Sequence, residues 1–458
     1  MISKNLSEKT FYLLLLIISL GIGLQLVIYK IALILLCLQW LISADFINKF
    51  YKLKTNKYAL LLIGFYCWYA ISLSWSEDYD FALIDLLLKS PLLLFPLIIT
   101  TSNFVNAKQL NTILLVFALS SLAINLYAFY HAIFNYLETS NINSFYYHKL
   151  TINMHSAYQA MFTCFSIVIV ICLNLKNKVI KNWQMYLVVF IQIIFVLLFA
   201  SRMQILIMAI LIPSFFIIRY YHFQQLLKGI IYIVVIFSVA KLFMSMPSAL
   251  NYRYKQTVSH ISSIGLNDEN TDPRKAIWLN GIKVINEHFI LGTGSGDAKN
   301  AINLKYAANI LDTPFSSKVV SSTIAAINSN KKTTVYLAKI ALINNIEYDE
   351  QIRIHAEQIL KRQNSKYQYF VKKEYNFHNQ YLQTFGTIGI FGFLVLLYLL
   401  VMPFITAIKK LDYLVAIFLF IVCSSFLTES MLERQAGVAF FAFFYTLLII
   451  TNHQSKFS

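Results

Sequence analysis

Apolar residues run along this chain in long blocks, at 11–29, 31–46, 58–75, 90–104, 110–131, 156–175, 183–200, 203–218, 229–246, 380–402, 413–427 and 437–451. A helix needs about 20 apolar residues to cross about 30 Å of hydrocarbon, so the pattern predicts an all-α, polytopic integral membrane protein of about twelve transmembrane helices. The first block reads as a retained span, not a cleaved signal peptide. No small-residue cleavage site follows it, and a second block begins almost at once.

Only one polar interval is long. It predicts a division into residues 1–246 with nine helices, a large extracytoplasmic helical loop at 247–379, and residues 380–458 with three helices and a short tail. Inside the loop, Ile277, Ile282, Ile285 and Phe289 fall near helical spacing, and Gly292, Gly294 and Gly296 then stop that helix. Residues 318–373 read as about two helices outside the membrane, a lid or accessory subdomain.

Composition agrees: 58% of the 458 residues are hydrophobic and 13% charged, against roughly a quarter charged in a soluble domain. The net charge of +17 would suit nucleic acid, but its distribution makes nucleic acid an unexpected partner. Lys and Arg gather around 4–9, 49–57, 108, 176–181, 219–228, 409–410 and 456, on alternate sides of successive blocks. That asymmetry predicts a cytoplasmic face there, with both termini on it. The other short loops carry Glu77, Asp78, Asp80, Glu429 and Glu433 and read as exterior. All five cysteines lie within apolar blocks, so neither a disulfide framework nor a cysteine metal site is expected.

Candidate chemistry gathers at the exterior face. In Phe377-His378-Asn379-Gln380-Tyr381-Leu382-Gln383, where the loop re-enters the membrane, His378, Tyr381 and Leu382 stand at i, i+3 and i+4. Such spacing predicts an imidazole and a phenol on one face at the top of a helix. Gly386, Gly389 and Gly392 continue as a small-residue stripe suited to a close helix neighbour. Spacing alone leaves two readings open, interfacial anchors or a site. Arg202, wedged between two apolar blocks, either snorkels to water or pairs with an anion. Arg274 opens the loop helix, with Trp278 one turn on; taken alone it is a solvated charge or a phosphate ligand. His155 and Tyr158 form another i, i+3 pair at a helix end. Asp78-Tyr79-Asp80 has the form of a cation-binding D-x-D, but equally keeps a loop in water. GTGSGD at 292–297 lacks the strand and spacing of a dinucleotide fingerprint and reads as a turn near the substrate.

Together these segments resemble the O-antigen ligase and O-antigen polymerase superfamily. The likeness is carried by WSEDYDFAL (75–83), KSPLL (89–93), MHSAYQAMF (154–162), the Ser-Arg pair at 201–202, RKAIWLNGIKVINEHFILGTGSGD (274–297), HNQYLQTFGTIGIFGFL (378–394) and TESMLERQAGVAFFAFF (428–444). It implies glycosyl transfer from an undecaprenyl-diphosphate-linked glycan donor to a glycan, lipid A core or protein acceptor at a bacterial inner membrane, without cofactor or metal. By motif, Arg202 and Arg274 would hold the diphosphate and His378 would activate the acceptor. Asn379, Tyr381, Gln383, His155, Tyr158 and Trp278 are the candidate substrate-binding residues. Ligase, repeat-unit polymerase and protein-glycosylating ligase share every motif. A lipid-glycan flippase or secondary transporter fits the helix count, but would put polar groups at the midplane and need no large loop.

Overall fold

The computed structural model describes residues 4–43, 45–102, 106–219, 273–311 and 366–451, together with the single positions 234 and 238. Every described element is helical. The helices are α1 (Lys4–Gly23), α2 (Ile28–Ile42), α3 (Phe46–Thr55), α4 (Lys57–Ile71), α5 (Tyr79–Lys89), α6 (Pro91–Thr101), α7 (Ala107–Thr139), α8 (Ser156–Asn177), α9 (Asn182–Leu198), α10 (Arg202–Arg219), α11 (Pro273–Glu287), α12 (Ala298–Leu311), α13 (Lys366–Lys373), α14 (Gln380–Lys409), α15 (Tyr413–Phe426) and α16 (Gln435–Tyr445). A π turn, Thr446–Ile450, continues α16.

Each apolar block within the described residues falls on a helix; the block at 229–246 and most of the 318–373 subdomain lie outside them. Among the described residues, five helices are long and apolar enough to cross a membrane: Lys57–Trp75, Tyr79–Thr101, Ala107–Thr139, Ser156–Lys176 and Gln380–Lys409. The count reaches six if the bent pair α2 and α3 is one span, and Asn182–Leu198, Arg202–Phe215, Tyr413–Phe426 and Gln435–Ile450 are shorter apolar helices. This is a coarser result than twelve spans. Exposed Ile34, Leu119, Leu126, Phe391 and Leu394 give the bundle an apolar exterior, which suits lipid and would be a liability in water.

Helix α8 is the hub. Its Phe162 and Phe165 meet Phe117 of α7, Phe418 of α15 and Phe440 of α16. Polar side chains inside the bundle are paired across helices: Gln204 donates to Ser425 Oγ at 2.7 Å, Gln192 to Ser166 Oγ at 2.9 Å, and Asn125 to Thr163 Oγ1 at 3.0 Å. In lipid such bonds average about 0.6 kcal/mol each and fix register as much as stability.

A second, smaller core is formed by the helices between α10 and α14. Ala276, Ile277 and Val284 of α11, Ala298, Ile302 and Tyr306 of α12, and Phe370 and Val371 of α13 enclose Phe377. The cap is thus built around the residue immediately before His378.

The glycine stripe of α14 works differently from the sequence expectation. Gly386 faces the Phe377 ring, Gly389 a loop at Ile290 and Gly392 the Ile388 side chain of its own helix, and the helix is broken at Ile388 and Gly389, where Gly389 has φ 69°. The break frees backbone groups, which would be costly in a membrane unless paired. Thr293 N–H donates to Gly386 O at 2.8 Å, Gly294 N–H to Thr387 O at 2.9 Å and the Trp68 indole to Ile388 O at 2.9 Å, while Ile390 N–H donates to Phe289 O at 3.1 Å. The GTGSGD turn therefore splices into α14.

Candidate functional site

His378 is placed by its neighbours on both sides in sequence. Phe377 is buried in the cap core, and Asn379 is the N-cap of α14, its side-chain oxygen accepting from Tyr381 and Leu382 N–H. Its amide group donates to Leu427 O at 3.1 Å, and its backbone N–H to Ser430 Oγ at 3.2 Å. Between these anchors His378 takes φ 45°, a left-handed conformation that costs a non-glycine residue roughly 1–2 kcal/mol and gathers at functional sites. His378 thus precedes the helix instead of opening it. The expectation of an imidazole and phenol sharing a helix face is corrected accordingly: the Tyr381 hydroxyl donates to Cys423 O at 3.1 Å, on the side facing α15.

The turn 427–434 after α15 is what His378 faces. Glu429 is the focus: its Oε1 lies 3.3 Å from Arg274 Nη2 and its Oε2 lies 3.6 Å from His378 Nδ1. Its side chain is 13% exposed, against 36% for Arg274 and 27% for His378. Burial alone would raise the pKa of the Glu429 carboxyl, but His378, Arg274 and His155 outweigh it and hold that pKa below the ordinary value. An ionised carboxylate at this depth therefore joins residues from the cap, the α14 entry and the head of α8.

The turn itself is tied down by side chains. Gln380 Oε1 accepts from Leu432 N–H at 2.6 Å, and the Tyr158 hydroxyl lies 3.5 Å from Ser430 O. Beneath it, fully buried Lys89 pairs with Asp85 and, at 3.1 Å, with Glu433, its ammonium 4.8 Å from the centre of the Tyr69 ring. Desolvation, with the repulsion of Asp85 beside it, leaves the Glu433 carboxyl pushed up to about 7 despite Lys89.

The remaining candidates divide into two groups. His155 caps α8, its Nδ1 accepting from Ala157 N–H at 3.2 Å, and its ring sits 4.0 Å from that of His148. Tyr375 stands edge-on to His378, with ring centres 4.9 Å apart. Trp278 packs beside the cap core, its indole N–H buried and without a hydrogen-bond partner among the described residues. Arg202 heads α10, and the Gln204 bond to Ser425 sets that end of α10 beside the residue whose carbonyl accepts from Glu429 N–H. Asn379 and Gln383 serve the backbone instead: Gln383 Oε1 receives Phe377 N–H at 3.4 Å. Gln380 and Tyr375 have no spacing signal of their own in the sequence, whereas Glu429, Glu433 and Arg434 of TESMLERQ are candidates there to pair with one another or to brace the loop's arginines, and Glu429 does brace Arg274.

The 292–297 turn and the D-x-D segment interlock. Asp297 accepts from Glu77 N–H at 2.7 Å and Asp78 N–H at 3.0 Å, and the Asp78 carboxylate caps α5 by accepting from Phe81 N–H at 3.0 Å. They border an open cavity of about 770 Å³ lined by Trp75, Asp80, His288 and Asn300 among others. Among the described residues no cluster of three or more His, Cys, Asp or Glu side chains is arranged to hold a metal.

With this geometry in hand, comparison with known families is specific. Residues 187–317 match the O-antigen ligase family model. The matched segment begins within α9, includes Arg202 and Arg274, and takes in α11 and α12; His378 and Glu429 lie beyond it. No curated protein matches the chain. The O-antigen ligase resemblance read from the motifs is thus shown for the segment that carries both arginines.

Proposed function

We propose that this membrane protein is an O-antigen ligase-type glycosyltransferase. It moves a glycan from an undecaprenyl-diphosphate carrier to an acceptor hydroxyl on the extracytoplasmic face of a bacterial inner membrane. The observation that supports the reading is the meeting of His378 and Arg274 at one carboxylate, Glu429, with Arg274 inside the family-matched segment.

The chemistry uses the residues as follows. The His378 imidazole takes the proton of the acceptor hydroxyl. The acceptor oxygen forms a bond to the anomeric carbon as the bond from that carbon to the diphosphate oxygen breaks, so the configuration inverts. Arg274 and Arg202 hold the departing diphosphate, whose oxygens their planar forks match bidentately. No step requires a metal, because the guanidinium groups carry the growing negative charge. Trp278, with its spare indole N–H, and the His155 and Tyr158 pair line the approach of the sugars.

The test is transfer by purified protein from a lipid diphosphate glycan. His378→Ala should lower transfer by about 10²–10⁴-fold while donor binding persists, since a general base acts on the chemical step. Arg202→Lys and Arg274→Lys keep the charge but lose the fork, and should weaken donor binding, transfer or both. Near wild-type transfer by His378→Ala would overturn the mechanism. The glycans of a deletion strain name the acceptor: lost lipid A attachment indicates a ligase, shortened chains a polymerase, and unmodified proteins a protein-glycosylating enzyme.

A further inference from the structure

The two oxygens of Glu429 face different partners, and the partners perform different tasks. Oε1 faces the Arg274 guanidinium at 3.3 Å and Oε2 faces His378 Nδ1 at 3.6 Å. The first is a hydrogen-bonded ion pair. The second is slightly too long for a hydrogen bond, a common state of catalytic contacts that tighten only when substrate arrives. Contact through Nδ1 leaves Nε2 as the ring nitrogen available to an acceptor.

We propose that Glu429 is the positioning residue of the base, and that it links base strength to donor binding; this rests on the glycosyl-transfer reading above. Held to Oε2, Nδ1 carries the ring proton, so the Nε2 lone pair faces the acceptor hydroxyl. While the donor is absent, Arg274 shares the carboxylate. When a diphosphate arrives, its oxygens take the guanidinium, and the Glu429 charge is left to His378. The proton then taken at Nε2 makes an imidazolium that Oε2 stabilises. The base is at full strength only with a donor in place, which guards the acceptor site against idle chemistry.

The surroundings suit this role. The turn carrying Glu429 is fixed by Asn379, Gln380 and Tyr158 from α14 and α8, so the carboxylate cannot follow Arg274 far. Around His378 the titratable and charged groups are Glu429 from the turn, Tyr375 from its own segment, Arg274 from α11, and His155 at the head of α8, which acts through Glu429.

The experiment compares Glu429→Gln and Glu429→Asp with wild type in the full-length protein, using undecaprenyl diphosphate as the binding probe. Glu429→Gln should lower kcat by about 10²–10⁴-fold, the scale for losing the orientation and charge support of a general base. Its affinity for undecaprenyl diphosphate should be equal or greater, since a competing anion has left Arg274. The acid limb of its kcat profile should move to lower pH, because a carboxylate beside an imidazole favours the protonated ring. Glu429→Asp should recover part of kcat and restore the limb. Wild-type kcat with an unmoved limb in Glu429→Gln would overturn the proposal. Equal loss of kcat and donor affinity in both variants, with no recovery by Asp, would also overturn it by showing a purely structural role. If His378→Ala retains transfer, the glycosyl-transfer mechanism itself falls; if His378→Ala is inactive and Glu429→Gln is normal, only this inference does.

Discussion

Gly281 of α11 lies directly against the ring of Phe377: a β-carbon there would stand 2.7 Å from Phe377 Cδ1. A β-carbon on Gly386 of α14 would stand 2.7 Å from Phe377 Cζ. The ring is thus held between the cap and the membrane helix, and its neighbour is His378. Gly281→Ala should displace the ring, cost about 1–3 kcal/mol by overpacking, and lower transfer without touching substrate. Gly386→Ala acts on the same ring, so the double variant should lose less than the sum of the two. Thermal unfolding in detergent and the transfer assay read both effects; full additivity would show that the glycines act through different neighbours.

The splice in α14 makes a related prediction. Gly389 combines φ 69° with ψ −169°, a region essentially closed to residues with a β-carbon, and that β-carbon would run into the Ile290 carbonyl. Gly389→Ala should therefore expel the 289–294 loop from the helix break and lower both stability and transfer. Gly64, on α4, has open space where its β-carbon would be, so Gly64→Ala is the control and should be neutral or slightly stabilising by helix propensity. Equal behaviour of the two variants would mean that the splice does not support the site.

How far the sequence reaches is visible at these same residues. Hydrophobic block length locates helices because a span needs a fixed length of apolar chain, whereas spacing alone leaves the imidazole and the two arginines open between interfacial anchors and a site, and the motif resemblance is what singles them out. His378 read as a helix residue because i, i+3, i+4 spacing is blind to the left-handed φ that the cap imposes. Of the stripe at Gly386, Gly389 and Gly392, the first two meet close neighbours, the Phe377 ring and the Ile290 carbonyl, but neither is a helix partner; a loop bonding through its backbone leaves no periodic trace. In the sequence Glu429 is one of several charged residues in a turn that could pair with one another or brace the loop's arginines; folding selects Arg274 of α11 and adds His378 at the α14 entry.

The D-x-D segment offers a clean contrast between structural and metal roles. Asp78 caps α5 through Phe81 N–H, and asparagine caps as well as aspartate. Asp78→Asn with Asp80→Asn should therefore keep most of the stability and most of the transfer, and chelation should leave transfer unchanged. Activity lost on chelation and restored by Mg or Mn would move these residues into the catalytic machinery.

Two carboxylates in one turn should give stability opposite pH dependences. The folded Glu429 carboxyl is held below its ordinary pKa, so its contribution is present above the ordinary carboxylate range and lost as pH falls through the lower folded value. Glu433 is raised from 4.5 to about 7, so the folded state binds the extra proton between those values. Its contribution is complete below the lower value and lost as pH rises through the upper one. Wild-type unfolding midpoints should fall from pH 5 to pH 8 by this contribution, and Glu433→Gln, which cannot ionise, should flatten that slope. Parallel slopes for the two proteins would show that Glu433 does not titrate in the window.

Sidedness decides whether the site meets a lipid-linked donor outside the cytoplasm. The excess of Lys and Arg predicts that the 49–57 and 176–181 segments face the cytoplasm and the cap faces outside. Asn300 on α12, and Lys54 and Lys178 on the basic side, are all exposed, so cysteines there are accessible to a reagent on their own side. Cys67 is the exposed native cysteine among five, and Cys67→Ser supplies the background. In intact spheroplasts an impermeant maleimide should label Asn300→Cys, whereas Lys54→Cys and Lys178→Cys should label only after lysis. Neither pattern depends on catalysis, so the result is independent of the transfer assays. Labelling of Asn300→Cys only after lysis would put His378, Arg274 and Glu429 on the cytoplasmic side and remove the extracytoplasmic reaction.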